Sequence, residues 1–165
     1  MVEHLFCKQK VPSSSLGDGS KGIVVRDKQI KFMKITVCGS MIYLGKLKEI
    51  EKNLVEFGHQ IFMPIDFGVD YSTISNEDYG QLKKEKNAIK EHFEKIKQSD
   101  AILVCNFDKN GIKNYIGGNS FLEIGFAYIL GKKIFLLNPI PRMLYEAEII
   151  GMEPIVLDGD LKKIG

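Results

Sequence analysis

From Met33 onward, short continuous apolar runs alternate with segments whose apolar positions recur every three or four residues. Lys34–Cys38 (KITVC) is a β-branched run ending in Gly39-Ser40, which predicts a first strand. Between Gly45 and Phe57, the apolar residues Leu47, Ile50, Leu54 and Phe57 are spaced 3, 4 and 3, the period of a helix. Gln60–Pro64 (QIFMP) predicts a second strand. A loop through Asp66 and Asp70 leads to Ser75-Asn76-Glu77-Asp78, whose acids favour a helix start against the helix dipole. Tyr79, Leu82, Ile89, Phe93 and Ile96 then continue one helical stripe, so a single long helix is expected. Ala101–Cys105 (AILVC) is apolar without interruption, as a strand covered on both faces requires. The loop Asn106–Gly118 precedes a helix expected from about Ser120 to Leu130. Lys133–Leu137 (KIFLL) predicts a fourth strand, Arg142–Ile150 a helix, and Pro154–Leu157 a fifth strand.

Strict alternation of strand and helix predicts an α/β fold with a mainly parallel five-stranded sheet. A flavodoxin-like, Rossmann-like sandwich of strand order 2-1-3-4-5 is the expected topology. No internal repeat is visible. Such sheets bind ligands at the carboxyl ends of their strands, where the strand order reverses. Here the rule selects two loops, Gly39–Tyr43 and Asn106–Asn119.

The first residues break this pattern. VPSSSLGDGSKG is a Ser/Gly-rich cluster with almost nothing to bury. Residues 1–32 are therefore expected to be a flexible extension, or upstream sequence translated from a mis-called start, with the folded domain spanning 33–165. A chain beginning at Met33 is then expected to keep its melting temperature.

Composition narrows the function classes. A chain of 165 residues with 44% hydrophobic content can bury one real core. Net charge is +2, and the basic residues are interspersed with acids rather than gathered on one face. Nucleic acid is therefore not an expected partner. Cys7, Cys38 and Cys105 are odd in number, far apart and form no CxxC pair. Neither a disulfide framework nor a zinc cluster is indicated, and a reducing cytoplasm is the expected compartment. No apolar run approaches the ~20 residues of a membrane span, and the N-terminus lacks a signal-peptide core. No cofactor or metal is expected.

The stretch Gly117–Gly125 (GGNSFLEIG) holds the candidate chemistry. Ser120 and Glu123 satisfy the S-x-x-E capping box, in which each side chain bonds the other's backbone N–H. The same placement puts Glu123 in the first turn of a helix at the switch point, where the dipole favours an ionised carboxylate. A carboxylate there can attack an anomeric carbon and form a glycosyl ester. Gly117 and Gly118 would let a sugar or phosphate approach free backbone N–H groups, with Asn119 and Ser120 beside them. The cap and the nucleophile are compatible roles.

The other candidates carry less. Gly39 and Ser40 follow strand 1, giving backbone room and a hydroxyl donor, but neither a Walker A loop nor a GxGxxG fingerprint is present. His92 falls at the edge of the long helix's buried face, where it is either a satisfied core histidine or a proton-handling group. Asp66 closes strand 2 at the ligand end of the sheet. Asp100 begins strand 3 at the opposite end and reads as a structural cap. Asp108 lies in the switch-point loop, within the turn signal DKNG. Arg142 follows PIP and is either solvated or a phosphate contact. The lysine-rich runs KLKEIEK and KKEK read as solvated helix faces.

Three segments together resemble the nucleoside 2-deoxyribosyltransferase family: CGS after strand 1, SDAILVCN at strand 3, and above all NSFLEIGFAYILGKKIFLL. The resemblance spans about Met33 to Leu157. It implies that Glu123 attacks C1' of a deoxyribose, the base leaves, and a second base or water takes the sugar. Transfer is placed ahead of hydrolysis. The alternatives are a 2'-deoxynucleoside 5'-monophosphate N-glycosidase, which the family includes, and a non-catalytic nucleotide-binding module. The substrate implied is a small nucleoside or nucleotide. The family pattern also implies a homo-oligomer, with Arg142 and Tyr145 as candidate contributors to a neighbour's site. Two helper positions depart from it. His92 stands where the family often has aspartate, and Gly117 where Asp or Ser is common. A histidine with an ordinary pKa near 6.5 could protonate the leaving base at neutral pH.

Overall fold

The computed structural model describes residues 31–165. The expected N-terminal extension lies outside them, apart from Lys31 and Phe32. Five parallel strands form one sheet of order β2-β1-β3-β4-β5, the predicted topology. The strands are β1 (Lys34–Gly39), β2 (Gln60–Phe62), β3 (Ala101–Cys105), β4 (Lys133–Leu136) and β5 (Ile155–Val156). The helices are α1 (Leu44–Glu56), α2 (Asn76–Glu85), α3 (Ala88–Gln98), α4 (Gly118–Ile129) and α5 (Glu146–Gly151).

The alternation of side chains along the central strands divides the core into two layers. Ile35, Val37, Leu103, Cys105 and Phe135 pack with Leu47, Ile50 and Leu54 of α1. Cys38, Ile102, Val104 and Leu136 turn the other way, toward Ile96 of α3 and Ile124 and Ala127 of α4. This period of two places the Cys38 side chain on the layer that carries His92 and Glu123. The ends of β3 and β4 are stitched by a reciprocal amide pair. Asn138 N donates to Asn106 Oδ1 at 2.9 Å, and each side-chain amide donates to a backbone carbonyl of the other segment. At the opposite end of the sheet, the Lys34 amide donates to Asp100 Oδ2 at 2.8 Å.

Three helices depart from the expected boundaries. The single long helix is two, because Asn87 adopts a left-handed backbone at φ 49° between α2 and α3. Asparagine accepts that region with little strain. The periodicity hid the break because Leu82 and Ile89 lie seven residues apart, which is two turns, so the apolar phase carries across it. None of the α2 residues is buried among the described residues. The helix predicted over Arg142–Ile150 begins only at Glu146. Before it, the Tyr145 hydroxyl donates to the Ile116 carbonyl and its ring packs on Phe121, which holds the chain out of helical geometry.

The third departure concerns α4. It begins at Gly118 with Gly117 as N-cap, not at Ser120. Phe121 N donates to the Gly117 carbonyl at 2.9 Å, and no side chain caps the helix. Ser120 is a buried third-position residue, and Glu123 lies in the second turn. The capping box therefore does not form. No described helix is long and apolar enough to cross a membrane.

Candidate active site at the carboxyl edge of the sheet

Glu123 lines the first of two adjoining recesses near the carboxyl end of β1. The first recess is mostly apolar and partly open to solvent. Pro64, Ile65 and Phe67 after β2 form one wall, and Ile89 of α3 with Phe126 of α4 the other. Tyr79 and Lys83 of α2 roof it, while His92 and Glu123 form its polar end. The second recess is polar and is lined by Ser40, Lys109, Tyr115, Gly117, Gly118 and Ser120. Gly39, Met41, Tyr79, Lys83 and Asn119 line both, so the two form one cleft.

Three elements bring a chemical cluster together here. Glu123 Oε1 of α4 is 3.5 Å from His92 Nε2 of α3. The same His92 nitrogen is 3.6 Å from Cys38 Sγ of β1. The Glu123 side chain is 16% exposed and that of His92 is 7%. Glu123 Oε2 and His92 Nδ1 are buried with no hydrogen-bond partner among the described residues.

Burial sets the protonation of this cluster. It pushes the Glu123 carboxyl up to about 8, against smaller downward effects of Cys38 and Lys83. It pushes the His92 imidazole down to about 4, with the Lys95 charge adding to the fall. The Cys38 thiol is held well above its usual range by burial first and by the Glu123 charge second. A carboxyl in the second turn gains little from the helix dipole, which acts within the first. The helix dipole therefore gives no support to an ionised Glu123: the residue lies past the first turn, and burial raises its carboxyl while lowering the His92 imidazole. The expectation of an ordinary histidine pKa is corrected for the same reason.

Of the residues singled out in the sequence, Glu123, His92, Gly39, Ser40, Gly117, Gly118, Asn119 and Ser120 line this cleft. Ser40 Oγ accepts from Lys109 Nζ at 3.2 Å. Gly39 also has a packing reason, since a Cβ there would meet Leu47 Cδ2 at 3.2 Å and Cys105 at 3.4 Å. Asp66, Asp108, Arg142 and Tyr145 do not line it. Asp66 is exposed and spent on its own loop, accepting from Gly68 N and the Tyr71 hydroxyl at 3.0 Å each and pairing with Lys48. Those hydrogen bonds, Gly68's first, hold its carboxyl below the usual carboxylate range. Asp108 is likewise exposed and accepts from Asn114 N at 2.8 Å, closing its turn. Arg142 is solvent-exposed, and Tyr145 is committed within its own chain.

Sequence reasoning missed Cys38, Tyr79, Lys83 and Lys109. Lys83 sits in KKEK, yet it is partly buried over the Tyr79 ring at 4.1 Å, and burial pushes its ammonium pKa down. Its only sequence signal was its spacing of four from Tyr79, which the solvated-face reading absorbed.

No family model and no curated protein matches the chain. Among solved structures, it is similar to a CMP N-glycosidase from Clostridium botulinum, at 17% identity and a TM-score of 0.40. That likeness covers 74% of this chain and 84% of the other. It is also similar to a 2-deoxyribosyltransferase from Leishmania mexicana, at 17% identity and a TM-score of 0.41, over 65% of this chain and 67% of the other. Likeness at this distance assigns no activity.

Proposed function

We propose that the protein cleaves the N-glycosidic bond of a (deoxy)nucleoside or nucleotide through a covalent glutamyl-sugar intermediate, as a nucleoside 2-deoxyribosyltransferase-like enzyme. The observation carrying this reading is the buried Glu123 carboxyl, which shares contact with a buried imidazole in an apolar slot that adjoins a polar recess. The slot between Ile65, Phe67, Ile89 and Phe126 suits a planar base. The polar recess suits the hydroxyl face of a sugar.

The proton balance follows from the pair. At neutral pH, Glu123 and His92 together hold one proton. As Glu123 attacks C1', the bond to the base breaks, His92 takes up that proton, and it departs on the base nitrogen. A second base then takes the sugar in transfer, or water takes it in hydrolysis and returns a proton to the pair. Transfer remains the leading reading. One observation favours the N-glycosidase reading on 5'-monophosphates. Lys109 and the uncapped N-terminus of α4 both face the polar recess, where they would meet a phosphate.

Incubation with mixed deoxynucleosides and deoxynucleotides, followed by chromatography, tests the proposal. Exchange between bases marks a transferase, and base release alone marks a hydrolase. Neither, with thermal stabilisation by a nucleotide, would leave a non-catalytic binding module.

The shared proton predicts a distinctive pH profile. In chelator-treated protein, kcat/KM should form a bell, falling above about pH 8 as the pair loses its proton and below about pH 4 as it gains a second. His92→Ala removes the base that takes the Glu123 proton, so activity should drop about 10²–10³-fold at pH 7 and rise with pH instead. An unchanged bell in that variant would remove His92 from the chemistry.

Self-association is part of the same proposal. Leu122, Tyr128 and Ile129 of α4 are 42%, 50% and 83% exposed, and with Met152 they form an apolar groove on the outer face of the nucleophile's helix. Such a face on a small domain marks an association surface. Sedimentation velocity should give a dimer, with Ile129→Glu shifting it to monomer. A monomer at every accessible concentration would end this part.

A further inference from the structure

We propose that Cys38, His92 and Glu123 form a three-ligand site for a zinc-class divalent cation, with its fourth position open to the cleft. The inference stands on the geometry and chemistry of the cluster and holds whether or not the protein cleaves glycosidic bonds.

One ligand atom from each of the three residues lies within 4.8 Å of the other two. Zinc bonds of about 2.3 Å to sulfur and 2.0–2.2 Å to nitrogen and oxygen, at tetrahedral angles, separate sulfur from nitrogen by about 3.6 Å and nitrogen from oxygen by about 3.4 Å. The observed separations are 3.6 Å between Cys38 Sγ and His92 Nε2, and 3.5 Å between His92 Nε2 and Glu123 Oε1. Two of the three separations thus match a shared cation, and the third, between Cys38 Sγ and the Glu123 carboxylate, lies within 4.8 Å.

The ligand chemistry is equally selective. Thiolate, imidazole and one carboxylate make a borderline-soft set that suits zinc and disfavours magnesium or calcium. Thiolate and carboxylate together cancel the two positive charges, so the loaded site is neutral and suits a buried place. Three protein ligands leave one tetrahedral position vacant, and the partly exposed Glu123 carboxyl gives it access to solvent through the cleft. His92 Nδ1 has no brace among the described residues, which places the affinity roughly 10–100-fold below that of a fully braced site. The bound cation occupies the carboxylate that the glycosidic reading uses as nucleophile. Metal and glycosyl transfer therefore exclude one another at this site.

Titration of the full-length, chelator-stripped protein with Co²⁺ tests the site without any reference to turnover. One equivalent should produce tetrahedral ligand-field absorption with a thiolate-to-metal charge-transfer band, and Zn²⁺ should displace it. Cys38→Ala should abolish the charge-transfer band, while Cys7→Ala and Cys105→Ala keep it. Glu123→Gln should keep the band and weaken binding at least tenfold, which tests the site even if Cys38→Ala does not fold. No charge-transfer band in the wild type, a band that survives Cys38→Ala, or unchanged affinity in Glu123→Gln would each overturn the assignment. Absence of glycosidic activity alongside a normal cobalt spectrum would reject the enzymatic proposal and leave the metal site standing.

Discussion

Glu123→Ala protein is expected to release no base from any nucleoside or nucleotide that the wild type accepts. The expected loss is at least ~10³-fold in kcat, or about 4 kcal/mol of transition-state stabilisation. It should fall on kcat rather than on binding, because Glu123 is one of many residues lining the slot and none of those lining the polar recess. Nucleotide-induced thermal stabilisation should therefore persist in the variant. Acid quenching of the wild type during turnover should leave a sugar adduct on the peptide that carries Glu123, visible by mass spectrometry. Turnover within tenfold of the wild type in Glu123→Ala would remove this residue as nucleophile and with it the covalent mechanism.

The second large effect concerns stability against pH. Burial raises the Glu123 carboxyl from 4.5 to about 8 on folding. The folded state therefore binds this proton more tightly than the unfolded chain. That contribution to stability is complete below about pH 4.5 and is lost as pH rises through about 8. Glu123→Gln keeps the shape and removes the titration. Its stability advantage over the wild type should grow from pH 5 to pH 8, by at most about 1.4 kcal/mol per pH unit, and level off above. Over that window the upper bound is about 4 kcal/mol, several degrees or more in melting temperature for a domain of this size. The His92 shift acts in the opposite window. Its folded pKa is depressed from 6.5 to about 4, so its contribution is present above about 6.5 and lost as pH falls toward 4. Both proteins carry that loss, so it falls largely outside the pH 5–8 difference between them. Thermal melts of the two in EDTA across pH 5–9 make the measurement. Parallel curves would show that Glu123 is ionised throughout and would place its carboxylate back in water.

The sheet was legible in the sequence because each strand's pattern is local. AILVC can only be a strand covered on both faces, and its neighbours KITVC and KIFLL bracket it in the same register of burial. Glu123 was legible as the acid nearest the switch point. Its environment was not. Ser120 and Glu123 have the spacing of a capping box, but Gly117 starts the helix three residues early and turns Ser120 into a buried side chain. The consequence reverses the direction of the shift: the dipole would lower a first-turn acid, and burial raises this second-turn acid facing Cys38 and His92. Replacing Glu123 therefore removes no helix cap. Asn87 was equally invisible, because a helical stripe whose phase survives a left-handed residue cannot reveal the break. The break makes α2 a separate helix, whose Tyr79 and Lys83 line the cleft. Asp66 and Asp108 do not line the cleft, and short-range backbone amides of Gly68 and Asn114 donate to their carboxylates.

The sheet's two outer strands are short: β2 has three residues and β5 has two. A strand edge of that length offers too few unpaired amides and carbonyls to template another chain. The self-association proposed above therefore falls to the exposed face of α4 rather than to strand addition, which repeats without limit. A helical face shared by two copies about a twofold axis is consumed when they pair. The short strands at the sheet's two edges would thus make the proposed assembly finite rather than fibrous.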